Sequence, residues 1–91
     1  MNTMRNLVLA QAVSELAALL EFRGQTGEAT ILRGEANTLA VGRPARGLEA
    51  LSQLNRIRGG IQTVMKLPLS ADEQAMAETV ALRIQRALKD N

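Results

Sequence analysis

The sequence contains no cysteine, histidine, tryptophan or tyrosine, and its single aromatic residue is Phe22. Each absence removes a class of chemistry. Without cysteine there is neither a disulfide framework nor a thiolate metal site. Without histidine there is no imidazole-based metal site and no conventional nucleophile–base triad, and no side chain titrates near neutral pH without a large shift. Stacking platforms for nucleic-acid bases are reduced to Phe22. The scarcity of aromatic and β-branched residues argues against sheet. No apolar run approaches the roughly 18 residues needed to cross a bilayer. Leu7 to Ala10, following Arg5, is too short for the apolar core of a signal peptide, because Gln11, Ser14 and Glu15 interrupt it. The expectation is a soluble cytoplasmic protein with no membrane partner.

Carboxylates are the remaining candidates for chemistry. Glu15, Glu21, Glu28, Glu35 and Glu49 are spread over three helices and sit at no metal-binding spacing. Gly24 and Gly27 precede a helix, but no strand leads into them and the lysine and hydroxyl of a nucleotide-binding loop are missing, so they read as a turn. The chain is therefore expected to be no enzyme, with no cofactor and no metal.

What is present is helix-forming. Hydrophobic residues make up 46% of the 91 positions, enough for a folded globule, and they are mostly alanine and leucine. A chain of this size forms one small domain whose core supplies only a few kcal/mol of net stability. Its longest apolar segment is Leu7 to Phe22, where Leu9, Val13, Leu16 and Leu20 share one helix face. Val8, Ala12 and Leu19 form a second row beside them, leaving Gln11, Ser14 and Glu21 to face away. One neighbouring helix cannot cover so wide an arc.

Further helices follow in order. Thr3 suits the cap of the first, which runs to about Arg23, and Gly24 suits the left-handed residue after its end. A second starts near Thr26 with Glu28 in its first turn and carries Ala29, Leu32, Ala36 and Leu39 on one side, while Gly34 only weakens it. Gly42 ends the second helix, and Pro44 suits the first turn of the next. From Leu48 a third helix places Leu51, Leu54, Ile57, Ile61, Val64 and Met65 within one arc. Gly59 and Gly60 disturb it, each costing about 1 kcal/mol relative to alanine. Both fall off the expected apolar arc, so they mark a kink, a break, a tolerated irregularity or a place where something external approaches the backbone. Pro68 stops this helix, and Ser70 to Glu73 form a capping box for a fourth that buries Met76, Ala77, Val80, Ala81, Ile84, Ala87 and Leu88. Leu82 points to its polar side. Short turns between four helices predict an all-α, antiparallel four-helix bundle, with the third helix open to a break at Gly59–Gly60 and dimerisation as one way of completing the core.

Net charge is only +2, so attraction to nucleic acid requires clustered arginines. Arg43 and Arg46 flank Pro44 and Arg56 and Arg58 adjoin the glycine pair, which makes these four the candidate phosphate contacts. Ala17, Leu19, Leu20, Glu21, Arg23 and Gly24 also resemble the end of the first helix in the small lyase domain of family X DNA polymerases. Ile57 to Ile61 is similar to that domain's helix-hairpin-helix loop. The resemblance implies nucleic-acid binding. It covers a minor part of the chain, without the family's glycine spacing, lysine cluster or aromatic residues, and no functional residue is carried over.

The function expected from the apolar arc is a non-enzymatic helical module that presents Val8, Leu9, Ala12, Val13, Leu16, Leu19 and Leu20 to another protein or to a second copy of itself. The alternative is a small nucleic-acid-binding protein using Arg43, Arg46, Arg56 and Arg58.

Overall fold

A computed structural model describes residues 3–42 and 46–89. Four helices run through them: α1 (Thr3–Phe22), α2 (Thr26–Val41), α3 (Leu48–Met65) and α4 (Ala71–Lys89). They form the expected all-α, four-helix architecture around one contiguous core. Arg43 and Pro44 lie outside the described residues.

Local chemistry sets the boundaries. Gly24, at φ +85°, follows α1 in the left-handed region. The Gln25 amide donates to the Leu20 carbonyl at 2.8 Å and the Gly24 amide to the Glu21 carbonyl at 3.0 Å, which uses up carbonyls that the helix end would leave bare. Gly42 ends α2 in the same left-handed conformation. At α4 the Ser70 amide donates to Glu73 Oε1 at 3.0 Å and the Glu73 amide to Ser70 Oγ at 3.2 Å, completing the capping box. Thr3, expected as a cap, is instead the first helical residue of α1.

Side-chain pairing fixes the antiparallel course. Thr63 donates to Glu28 at 3.0 Å and Arg56 to Glu35 at 2.7 Å, so advancing seven residues along α2 means retreating seven along α3. Between α1 and α4, Arg5 Nε reaches the Ala87 carbonyl at 2.7 Å, Arg83 reaches Glu15 at 2.8 Å, and Arg23 grips Glu73 through both carboxylate oxygens. Arg5 thereby satisfies a carbonyl in the last turn of α4, where a cation also complements the helix dipole.

The wide apolar arc of α1, Val8 apart, is covered within the chain. Leu9, Ala10, Ala12, Val13, Leu16, Ala17, Leu19 and Leu20 are all buried. At about 100° per residue they span roughly half the circumference of the helix. The pair Glu21–Arg33 places α2 along the Ala10 and Ala17 flank, and Glu15–Arg83 places α4 along the Ala12 and Leu19 flank. The third neighbour, α3, packs between them, whereas among the described residues no Cα of α2 comes within 8 Å of a Cα of α4. The bundle is thus a flattened rhombus whose short diagonal joins α1 to α3.

Gly60 lies on that diagonal, and here the sequence expectation is corrected. The third helix runs unbroken through the glycine pair, and Gly60 is buried on its core side. A Cβ there would stand 2.5 Å from Leu32 Cδ1 and 3.3 Å from Leu16 Cδ2. Its absence is what lets α3 approach α1 and α2 together. The expected arc was centred too far toward Leu51 and Met65, both of which are exposed; the buried row is Ile57, Gly60 and Val64. Met76, expected inside, is likewise exposed, lying about 90° around the helix from the centre of the Ala77, Val80, Ala81, Ile84 and Ala87 row. The unbroken helix also rules out a hairpin at Ile57 to Ile61.

Three outcomes follow from this packing. A Cβ at Gly59 would meet nothing closer than the Glu28 carboxylate at 4.0 Å, so Gly59→Ala should gain about 0.5 to 1 kcal/mol of stability in chemical denaturation. Gly60→Ala should instead lose on the order of 1 kcal/mol, because overpacking of 1 to 3 kcal/mol outweighs the gain in helix propensity. Leu16→Asp or Leu20→Asp would place an unpaired charge at a fully buried site and unfold the monomer, seen as loss of helical circular dichroism. A fourth outcome concerns acid. Hydrogen bonds from Arg23 above all, then from the Ser70 amide, lower the Glu73 carboxyl from about 4.5 to about 2. A depressed carboxyl stabilises the fold above its unfolded value and loses that contribution as pH falls through the folded one. The thermal midpoint should therefore drop between about pH 4.5 and 2, and Glu73→Gln should remove part of that drop while lowering the midpoint at neutral pH.

Candidate functional site

The seven α1 residues expected at an interface are placed plainly by the core. Leu9, Ala12, Val13, Leu16, Leu19 and Leu20 are enclosed by the chain's own helices, and only Val8 is exposed. The row of Ala12 and Leu19, which the sequence leaves free to meet another chain, is taken by α4. In the folded chain α1 leaves exposed only Met4, Leu7 and Val8 near its start and Phe22 at its end among its large apolar side chains.

The exposed apolar side chains are elsewhere. In the antiparallel arrangement the start of α1, the end of α2 and the start of α3 share one end of the bundle. That end exposes Met4, Leu7, Val8, Val41, Leu48 and Leu51. The first half of α3 contributes most. No residue from Leu48 to Arg56 is buried, and Leu48 is 83% exposed. Phe22, the lone aromatic, is at the opposite end and 78% exposed, with the Arg23 guanidinium 5.9 Å from its ring centroid.

Of the four arginines expected to contact nucleic acid, the two on α3 do not converge. Arg43 lies outside the described residues, and Arg46 is exposed just before α3. Arg56 and Arg58 leave their helix about 200° apart. Arg56 turns toward α2 and is spent on Glu35 at 2.7 Å. Arg58 turns the other way, toward α4.

There it lines a groove of about 610 Å³ together with Ile61 and Gln62 from α3 and Leu82, Gln85, Arg86, Leu88 and Lys89 from α4. Ile61 and Leu88 are half-buried and pack against the core, so the floor is continuous with the hydrophobic interior. Arg58, Arg86 and Lys89 stand around it, and among the described residues no carboxylate lines it. The contrast with four other arginines is sharp: Arg23, Arg33, Arg56 and Arg83 each pair with a glutamate. The Arg83 guanidinium is pushed above its usual value, chiefly by its hydrogen bond with Glu15. Those four pairs cancel charge on the α1, α2 and α4 surfaces and leave the groove as a local concentration of positive charge.

Sequence reasoning found Arg58 and missed the rest of this group. Leu82 stands alone on the polar side of α4, and Arg86 and Lys89 fall in its last turn, where basic residues complement a helix dipole in any case. Their spacing, Leu82, Arg86 and Lys89 at i, i+4 and i+7, does place them on one flank of α4. Nothing in the sequence places that flank beside Arg58. Among the described residues there is no group of three or more acidic side chains that could hold a metal ion, and no helix is long and apolar enough to cross a membrane. Comparison with protein-family models, curated proteins and solved structures finds no match to this chain.

Proposed function

We propose that the protein is a non-enzymatic helical interaction module, a cytoplasmic adaptor that docks onto another protein or onto a second copy of itself. The observation that carries this reading is the gathering of Met4, Leu7, Val8, Val41, Leu48 and Leu51 at one end of the bundle, exposed although the core beside them is fully packed. An exposed apolar cluster on a small soluble domain is the common mark of an interaction surface. Covering such side chains is worth about 1.5 to 3 kcal/mol each, so a few of them suffice to drive association.

The reading moves the docking surface from α1 to the first half of α3 and its neighbours. Leu48 and Leu51 project from a helical stretch with no buried residue, so changing them leaves the core intact. The test is the double variant Leu48→Asp and Leu51→Asp beside the unaltered chain. Sedimentation velocity over a wide concentration range reads self-association, and affinity capture from an extract of the source cell reads a heterologous partner. The unaltered chain should form an oligomer or retain a specific protein, and the double variant, with an unchanged melting curve, should lose it. An unaltered chain that sediments as a monomer and retains nothing the double variant fails to retain would overturn the proposal.

A further inference from the structure

We infer that the groove between α3 and α4 is a receptor for an acidic amphipathic α-helix of a partner protein. The inference rests on reading the chain as a docking module and adds the chemistry of what docks. Two features of the groove select that occupant. Its floor is apolar, made by Ile61, Leu82 and Leu88, and it lies between two helices, where a third helix can seat a row of side chains. Its walls are cationic on both sides, with Arg58 on α3 and Arg86 and Lys89 on α4.

The charges are available. No ion pair engages Arg58, Arg86 or Lys89 among the described residues, while four arginines elsewhere on the surface are each matched to a glutamate. A ligand bringing carboxylates to both walls would supply the missing complement, and leucine-sized side chains between them would cover the floor. From Leu82 to Lys89 the α4 wall is about 10 Å long at 1.5 Å per residue, which matches two turns of a bound helix. The required pattern is therefore leucine-type residues at i, i+3 or i+4, and i+7, with glutamate or aspartate on both flanks. A nucleic acid fits less well. It would bring no apolar surface to Leu82 and would find no aromatic ring to stack on, since Phe22 is at the far end of the bundle.

The groove can also recruit the neighbouring part of α3. Leu51 and Leu54 precede Arg58 and Ile61 by seven residues each and so share their flank of the helix. A longer partner helix would extend from the groove along this flank toward the exposed end of the bundle.

The probe is a fluorescent two-to-three-turn peptide of leucine, glutamate and alanine in the stated pattern, with its fluorescence anisotropy titrated against the full chain at low salt. Three controls accompany it: the same peptide with lysine for glutamate, the same with serine for leucine, and a single-stranded oligonucleotide. The leucine–glutamate peptide should bind, weaken as salt rises, and lose at least about tenfold in affinity to the Arg58→Glu and Arg86→Glu double variant. The lysine and serine peptides should bind far more weakly. No binding at low salt, equal binding to the charge-reversed variant, equal binding of the serine peptide, or tighter binding of the oligonucleotide would each overturn the inference. Leu48→Asp and Leu51→Asp separate the two claims. If the exposed end supports association that this variant abolishes while the peptide fails to bind, the groove is wrong and the docking module stands. If neither surface binds anything, both fall.

Discussion

Eight side chains of α1 have to leave water together, and no single neighbour can cover an arc of that width. The tertiary structure is the solution to that requirement. Two helices flank α1 and α3 closes the gap between them, at the point where Gly60 presents no Cβ to Leu16 and Leu32. A residue that weakens an isolated helix thus strengthens the assembly, since what α3 loses in local propensity it regains in contact with a fully buried core. The same requirement explains why α2 and α4 stay apart: they hold opposite flanks of one helix.

Once α1 is enclosed, the remaining surface is organised by charge. The pairs Glu21–Arg33, Glu35–Arg56, Glu15–Arg83 and Glu73–Arg23 each join two helices, or a helix to the turn beside it, and hold them in register. Each is exposed enough that its main service is orientation rather than large stabilisation. Their further effect is to consume glutamates. With nearly equal numbers of acidic and basic residues, matching four arginines on one part of the surface leaves Arg58, Arg86 and Lys89 unmatched on another. A nearly neutral chain therefore carries a basic groove.

The helix α3 links this packing to the proposed function. Its second half is bound into the core by Ile57, Gly60 and Val64, and its first half is covered by nothing comparable. Segments with few buried apolar contacts open at lower free-energy cost than the core. The half of α3 that carries Leu48 and Leu51 is thus both the most apolar exposed stretch and the least constrained, and the groove begins where the constrained half takes over.

The sequence by itself determined the helices, their ends and much of their inner faces. Ser70 and Glu73 write a capping box, Gly24 and Gly42 supply left-handed ends, and the rows Ala29 to Leu39 and Ala77 to Ala87 follow a local periodicity that each helix must obey whatever surrounds it. Only the tertiary structure decided what meets those faces. Periodicity reveals that α1 is apolar on two sides and is silent on whether the second side finds α4 or another molecule. It counts Gly60 as a defect, because the benefit of a missing Cβ depends on Leu16 and Leu32, which are distant in the chain. It sets Arg56 beside Arg58 although the helix turns them to opposite sides, and it separates Arg58 from Arg86 although the fold brings both to one groove. Local geometry is encoded within a few residues; a pairing of surfaces depends on which distant segments can be buried together.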